Sequence, residues 1–146
     1  MINSFIGKYY FLSPMYPCTI NFSSIEFKRS EALYQSYKVY RFSDKCMFGG
    51  IDGSKARHIG NSIDIRDDWN EVKNVCLYRS LYYKFEQNPE LAKRLLPTGD
   101  EEIYDCNNDN ELGICLMKIR KEFRDRMKIP IFIGIFILYI YKGECL

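Results

Sequence analysis

Histidine is almost missing from this chain: His58 is the single imidazole in 146 residues. That excludes a histidine-rich zinc centre; no Ser-His-Asp set is read in the sequence. His58 itself sits in a short basic stretch and reads as structural. Cysteine is present at positions 18, 46, 76, 106, 115 and 145, yet no Cys-x-x-Cys pair occurs. Zinc sites need closer spacing, so no metal is expected. A disulfide framework is not expected either, and the thiols read as reduced, small apolar fillers. No glycine-rich phosphate loop appears, and no cofactor is expected. The net charge of +2 is too small for a nucleic-acid footprint, which needs basic residues gathered on one face. Met1 to Pro17 carries no apolar run behind a basic start, so the protein is expected to be intracellular and cytoplasmic, without a secretory signal.

What the chain has instead is aromatic mass, with 12 tyrosines and 10 phenylalanines. These fit a core and half-buried surface, or a pocket that stacks rings. An apolar share of 47% and a charged share of 27% fit one globular domain. The expected domain covers residues 1–128, followed by an apolar tail, 129–146, that is not a separate domain.

Local patterns predict an α+β fold that is mainly helical. Near alternation through Ile20, Phe22, Ile25 and Phe27, around Ser23-Ser24, predicts an N-terminal β-hairpin. About five to six helices should follow. Ser30 is the expected N-cap of the first, with Leu33, Tyr34, Tyr37, Lys38 and Arg41 at helical spacing. Cys46 to Gly53 reads as a glycine-rich loop. Ser54 to Gly60 reads as a short helix stopped by Gly60. Asp68 with Glu71 forms a capping box for a helix to about Glu86. Asn88-Pro89 marks another start, and Thr98 with Glu101 a second capping box. The last regular helix is expected from about Asn110 to Met127, with Leu112, Cys115, Leu116, Ile119 and Phe123 as its apolar stripe.

The tail from Ile129 to Tyr141 is uncharged. It is shorter than the ~20 residues that span a membrane, and Pro130 and Gly134 weaken a helix. A buried or edge strand is expected. A membrane-associated anchor or a self-association segment are the alternatives.

Glu31 follows Ser30 in the first turn of a helix, where the macrodipole favours a negative charge. Tyr34, Gln35 and Lys38 follow on adjacent helical positions. A carboxylate, a phenol, an amide and an ammonium thus gather on one face.

Ordered blocks along the chain extend this cluster. Phe11-Leu12-Ser13 and Tyr16-Pro17-Cys18 come first, then Ser30-Glu31, Tyr34-Gln35 and Lys38. Lys55-Ala56-Arg57 with Gly60 follows, then Arg66, Asp68-Trp69 and Val72-Lys73. Lys84 to Leu91, Leu95-Leu96 and Thr98-Gly99-Asp100 follow, and Asn110, Leu112-Gly113, Leu116-Met117 and Ile119-Arg120 complete the set. In order and spacing these blocks resemble the NADAR (YbiA-like) N-glycosidases over roughly residues 8–126. Three departures stand out. Ala32 replaces a histidine, Pro14-Met15 replaces Asn-Phe, and an Asp-x-x-Trp-Gly loop before the last helix is shortened to Asp105-Cys106-Asn107-Asn108-Asp109.

The resemblance implies hydrolysis of an N-glycosidic bond in phosphoribosylamino-pyrimidine intermediates of riboflavin synthesis, with release of ribose 5-phosphate. Other relatives of this kind remove ADP-ribose from guanine bases. Glu31 and Trp69 match residues implicated in activity, and Asp105, or else Asp109, is the candidate replacement for the missing loop's acid. Such a reaction passes through an oxocarbenium-like transition state that needs nearby negative charge and an activated water. A carboxylate at a helix N-terminus suits those tasks. Lys38, Lys55 and Arg57, backed by Arg66, are the expected phosphate cations, and Tyr34 and Gln35 the contacts to base or ribose. The expected partner is a small phosphoribosyl substrate. Nucleic acid is a less favoured partner and a membrane is not expected. The alternative functions are an ADP-ribosyl-guanine glycosidase on nucleic acid, or a nucleotide-binding module that has lost turnover with the shortened loop.

Overall fold

A computed structural model of the protein describes residues 1–128. The strand expected in the tail lies outside these residues.

A 3-10 turn at Gly7–Leu12 leads into β1 (Ile20–Phe22) and β2 (Ile25–Phe27), which pair antiparallel. The register sets Ile20 opposite Phe27 and Phe22 opposite Ile25. Ser23 and Ser24 both take positive φ, 51° and 65°. This is the primed turn whose twist matches that of the strands it joins. The hairpin is pinned from behind, because Gln87 accepts from the Asn21 amide at 2.8 Å and donates to its carbonyl at 3.0 Å.

Six α-helices follow: α1 (Ser30–Ser36), α2 (Phe42–Cys46), α3 (Gly53–Ser62), α4 (Trp69–Gln87), α5 (Pro89–Leu95) and α6 (Glu111–Lys128). Two apolar clusters hold them. One gathers Phe11, Leu12, Leu81, Phe85, Leu91, Leu95, Leu116 and Ile119 between α4, α5 and α6. The other gathers Ile20, Phe27, Leu33, Phe48, Ala56 and Trp69 between the hairpin, α1 and α3. The long α4 feeds both, through Trp69 and Cys76 at one end and Leu81 and Phe85 at the other. Cys76 and Cys115 are buried thiols of these clusters. No helix among the described residues is long and apolar enough to cross a membrane.

Several expected boundaries are corrected. Ser30 is not the N-cap of α1; Arg29 holds that place. The Ser30 hydroxyl and the Glu31 amide instead both donate to the carbonyl of Pro14, at 3.3 and 3.1 Å. A tertiary contact thus satisfies the helix start that a side chain would otherwise cap. Helix α1 stops at Ser36, so Lys38 and Arg41 lie beyond it. The loop expected over Cys46 to Gly53 is shorter at both ends, because Cys46 closes α2 and Gly53 opens α3. Gly60 does not stop α3, which runs on to Ser62. Asp68 precedes α4, but its carboxylate takes Arg66 and Tyr40 rather than the helix amides. No α-helix starts at Thr98. That hydroxyl donates to Leu95, and the buried guanidinium of Arg120 donates to Thr98 Oγ1 and to the Glu101 carbonyl, at 2.9 and 2.8 Å. A capping pattern read locally is overridden wherever a nearer partner takes the same atoms.

Candidate active site

Glu31 and Gln35 stand one helical turn apart on α1, and both are buried. The Gln35 amide Nε2 donates to Glu31 Oε1 at 2.8 Å. Arg57, on α3, brings its Nε to the same oxygen at 3.2 Å. The Glu31 side chain is 6% exposed and that of Arg57 55%, so the ion pair has one buried and one open end. Among the described residues Glu31 Oε2 has no hydrogen-bond partner. Helix α3 is set by Asp52, whose carboxylate caps it by accepting from the Lys55 amide at 2.8 Å. That start places Arg57 and, one turn on, Asn61 toward α1.

Glu31 opens onto a cleft of about 820 Å³. One wall is α1 and α3, through Glu31, Tyr34, Gln35, Arg57 and Asn61. A second is the segment Ser13-Pro14-Met15. The opposing wall is Asp105, Cys106, Asn107 and Asn108, with Glu111 and Leu112 from the start of α6. Phe5 and Leu77 add apolar surface.

The opposing wall is an unusual piece of backbone. Asn108, Asp109 and Asn110 take φ of 47°, 54° and 64° in succession. Asparagine and aspartate tolerate this region better than other side chains. The Asn110 carbonyl oxygen Oδ1 accepts from the Asp105 amide at 2.6 Å, and its Nδ2 donates to the Ile103 carbonyl at 3.3 Å. Asn107 in turn donates to the Asp105 carboxylate at 2.9 Å. Asp105 is thereby fixed on the cleft from its backbone and from its side chain.

The expected site residues divide. Glu31, Tyr34, Gln35, Arg57 and Asp105 come together on the cleft. Lys38, Lys55 and Trp69 are not among its lining residues. The Lys38 ammonium donates to the Gly60 carbonyl at 3.1 Å. Burial lowers its pKa, partly offset by the charge of Glu31. Lys55 is exposed on α3. Trp69 is buried, with its ring 5.3 Å from that of Tyr34. Trp69 therefore stands behind the cleft and backs Tyr34. Burial, then the charge of Glu31, pushes the Tyr34 phenol up to about 12, so it keeps its proton. Arg66 is spent on Asp68, at 2.5 and 2.8 Å, and this contact holds the Asp68 carboxyl at about 2. His58 and Asp109 are exposed and do not line the cleft.

Residues not foreseen are Phe5, Pro14, Met15, Asn61 and Glu111. Asn61 had a signal, since it lies one turn after Arg57. Pro14-Met15 stood out only as a departure from the family pattern, and Phe5 and Glu111 carry no signal, because their approach to Glu31 spans long stretches of chain. No group of three or more His, Cys, Asp or Glu among the described residues is placed to hold a metal ion.

The NADAR domain model matches residues 4–109, which include Glu31, Tyr34, Gln35, Arg57 and Asp105. The chain belongs to the NADAR domain family. Among curated proteins it is similar to the Riboflavin biosynthesis protein VVA0006 of Vibrio vulnificus (strain YJ016), 30% identical over 157 residues. That match covers 88% of this chain and 42% of the relative, so the chain spans under half of the relative's length. Among solved structures it resembles the NMR structure of the E. coli protein YbiA, with a TM-score of 0.76 and 21% identity. That likeness covers 88% of this chain and 86% of the other and shows a common fold. The family match ends at residue 109, so Glu111 lies beyond it.

Proposed function

We propose that this NADAR protein is an N-glycosidase that hydrolyses phosphoribosylamino-pyrimidines and releases ribose 5-phosphate. The observation that carries this reading is the setting of Glu31. Its buried carboxylate is held at Oε1 by Gln35 and Arg57, on the wall of a cleft large enough for a nucleotide. In the proposed reaction a water oxygen bonds to the anomeric carbon as the C–N bond breaks. The leaving nitrogen keeps the bonding pair, and Glu31 takes the water's proton and returns it to that nitrogen. Negative charge beside the sugar stabilises the oxocarbenium-like transition state. Asp105, across the cleft, adds to that field. Arg57 spends its Nε on Glu31, its Nη2 lies 3.9 Å from Met15 Sδ, and its half-exposed guanidinium is the cation proposed to meet the substrate phosphate.

The charges of the cleft support a small substrate over a nucleic acid. Its charged lining residues, among those described, are Glu31, Asp105, Glu111 and Arg57. A polyanion rewards a groove of several cations, and here carboxylates outnumber them. The name of the Vibrio relative, a riboflavin biosynthesis protein, agrees with a pyrimidine intermediate as substrate.

The test is to incubate the purified protein with a phosphoribosylamino-pyrimidine and to measure free ribose 5-phosphate. Release by the wild type and loss of release in Glu31→Gln are expected. Tight binding without release would overturn the reading in favour of a binding module.

A further inference from the structure

Gly60 sits inside α3, where glycine is a poor helix former. Its space is already taken: a Cβ built there would lie 1.9 Å from Gln35 Oε1 and 2.8 Å from Gln35 Cδ. The side-chain amide of Gln35 therefore fills the notch left by the missing methyl. On the same residue, the Lys38 ammonium takes the Gly60 carbonyl at 3.1 Å. Residues 35 and 38 of the chain thus grip one glycine of α3, from its Cα side and from its carbonyl.

The Gln35 amide pays for this position. Its Oε1 is buried without a hydrogen-bond partner, although buried amide oxygens are nearly always bonded. Its Nε2 is spent on Glu31 Oε1 at 2.8 Å. Turning the amide over would point oxygen at a carboxylate and lose that bond. The arrangement makes sense if what it preserves is the orientation of Glu31. We infer that Gly60 is a positioning residue: by lacking a side chain it seats Gln35, and Gln35 aims the Glu31 carboxylate into the cleft.

This inference rests on Glu31 as the working carboxylate of the proposed hydrolysis, and its test has an arm that needs no turnover. The 1H–15N resonances of the Gln35 side-chain amide, identified by their loss in Gln35→Ala, report the bond to Glu31. In Gly60→Ala they should move in the same direction as in Glu31→Ala. With a phosphoribosylamino-pyrimidine, Gly60→Ala should lower kcat by about 10–100-fold while KM changes little, as expected for a misaimed group. On a Gln35→Ala background, adding Gly60→Ala should change kcat by no more than about twofold, because the residue that transmits the effect is gone. If the wild type turns nothing over, the proposed function fails and the resonance arm alone judges the positioning. Unmoved Gln35 resonances in Gly60→Ala, or losses that multiply in the double variant, overturn the inference. Should Gly60→Ala alone fail to fold, a folded Gly60→Ala/Gln35→Ala variant supports Gln35 as the occupant of the notch, and an unfolded one overturns it.

Discussion

The ammonium of Lys84 is fully buried and donates to the carbonyl of Ser13 at 2.7 Å. Lys84 lies on α4, and Ser13 begins the cleft segment whose next carbonyl, that of Pro14, receives the Glu31 amide. One buried lysine nitrogen therefore ties the core to the wall beside the candidate catalytic carboxylate. The Tyr16 and Phe85 rings lie 5.6 and 5.4 Å from the same ammonium.

The burial of Lys84 should show in the pH dependence of stability. Burial pushes Lys84 down to about 7, with Arg94 adding to the effect and Cys18 opposing it. In the unfolded chain a lysine titrates near ~10.4. Between these values the unfolded state binds the extra proton, so stability rises as pH rises. The cysteines act in the opposite sense at higher pH, since burial raises Cys18, Cys76 and Cys115. Urea unfolding from pH 7 to 8.5 should therefore show a midpoint that increases for the wild type. The increase should vanish in Lys84→Met.

Glu31→Gln tests the carboxylate. Loss of a charge acting at the transition state should lower kcat by ~10²–10⁴-fold. The far-ultraviolet spectrum should stay unchanged, because glutamine fills the same space. A variant with full activity would remove Glu31 from the mechanism.

Arg57→Ala tests the cation of the cleft, which touches both Glu31 and the proposed phosphate position, so kcat should fall as well as KM rise. Its guanidinium is half open to solvent, but its partner Glu31 is buried and keeps only Gln35, so some loss of stability in urea unfolding is expected. KM for the phosphorylated substrate should rise by about tenfold or more, the equivalent of ~1.4 kcal/mol. A substrate without the 5-phosphate should be hydrolysed with nearly the same KM before and after the change. Steady-state kinetics on the two substrates give the comparison.

Gly113→Ala tests the opposing wall. A Cβ there would lie 2.1 Å from Asn110 Oδ1 and 2.3 Å from the Ile103 carbonyl. The second contact is backbone and cannot swing aside. A loss of ~1–3 kcal/mol in urea unfolding is expected. Activity at a temperature where the variant is folded should also fall, because Asn110 carries the Asp105 amide.

The parts of the site that were legible in the sequence are those with local causes. The hairpin follows from alternation broken at two serines, and α6 from its apolar stripe. Glu31, Tyr34 and Gln35 share a face because helical spacing puts residues three and four apart together. The family resemblance then joined Arg57 and Asp105 to that face, and both line the cleft. Capping was the least legible feature. Ser30, Asp68 and Thr98 each carry the right side chain, but Pro14, Tyr40 and Arg120 reach them from elsewhere in the chain, and Arg66, two residues from Asp68, takes both of its carboxylate oxygens.

The sequence by itself determined a mainly helical domain with an N-terminal hairpin and a carboxylate in the first turn of its first helix. It did so because periodicity and turn chemistry act over a few residues. Tertiary structure decided which groups share the cleft with that carboxylate. It turned Lys38 onto Gly60, put Trp69 behind Tyr34, and brought Pro14, Asn61 and Glu111 to the walls. Those outcomes depend on how closely helices approach, and at Gly60 that approach is fixed by one absent methyl group. Glu31 was readable as an acid at a helix start; its hold by Gln35 and Arg57 exists only once α1 and α3 have packed.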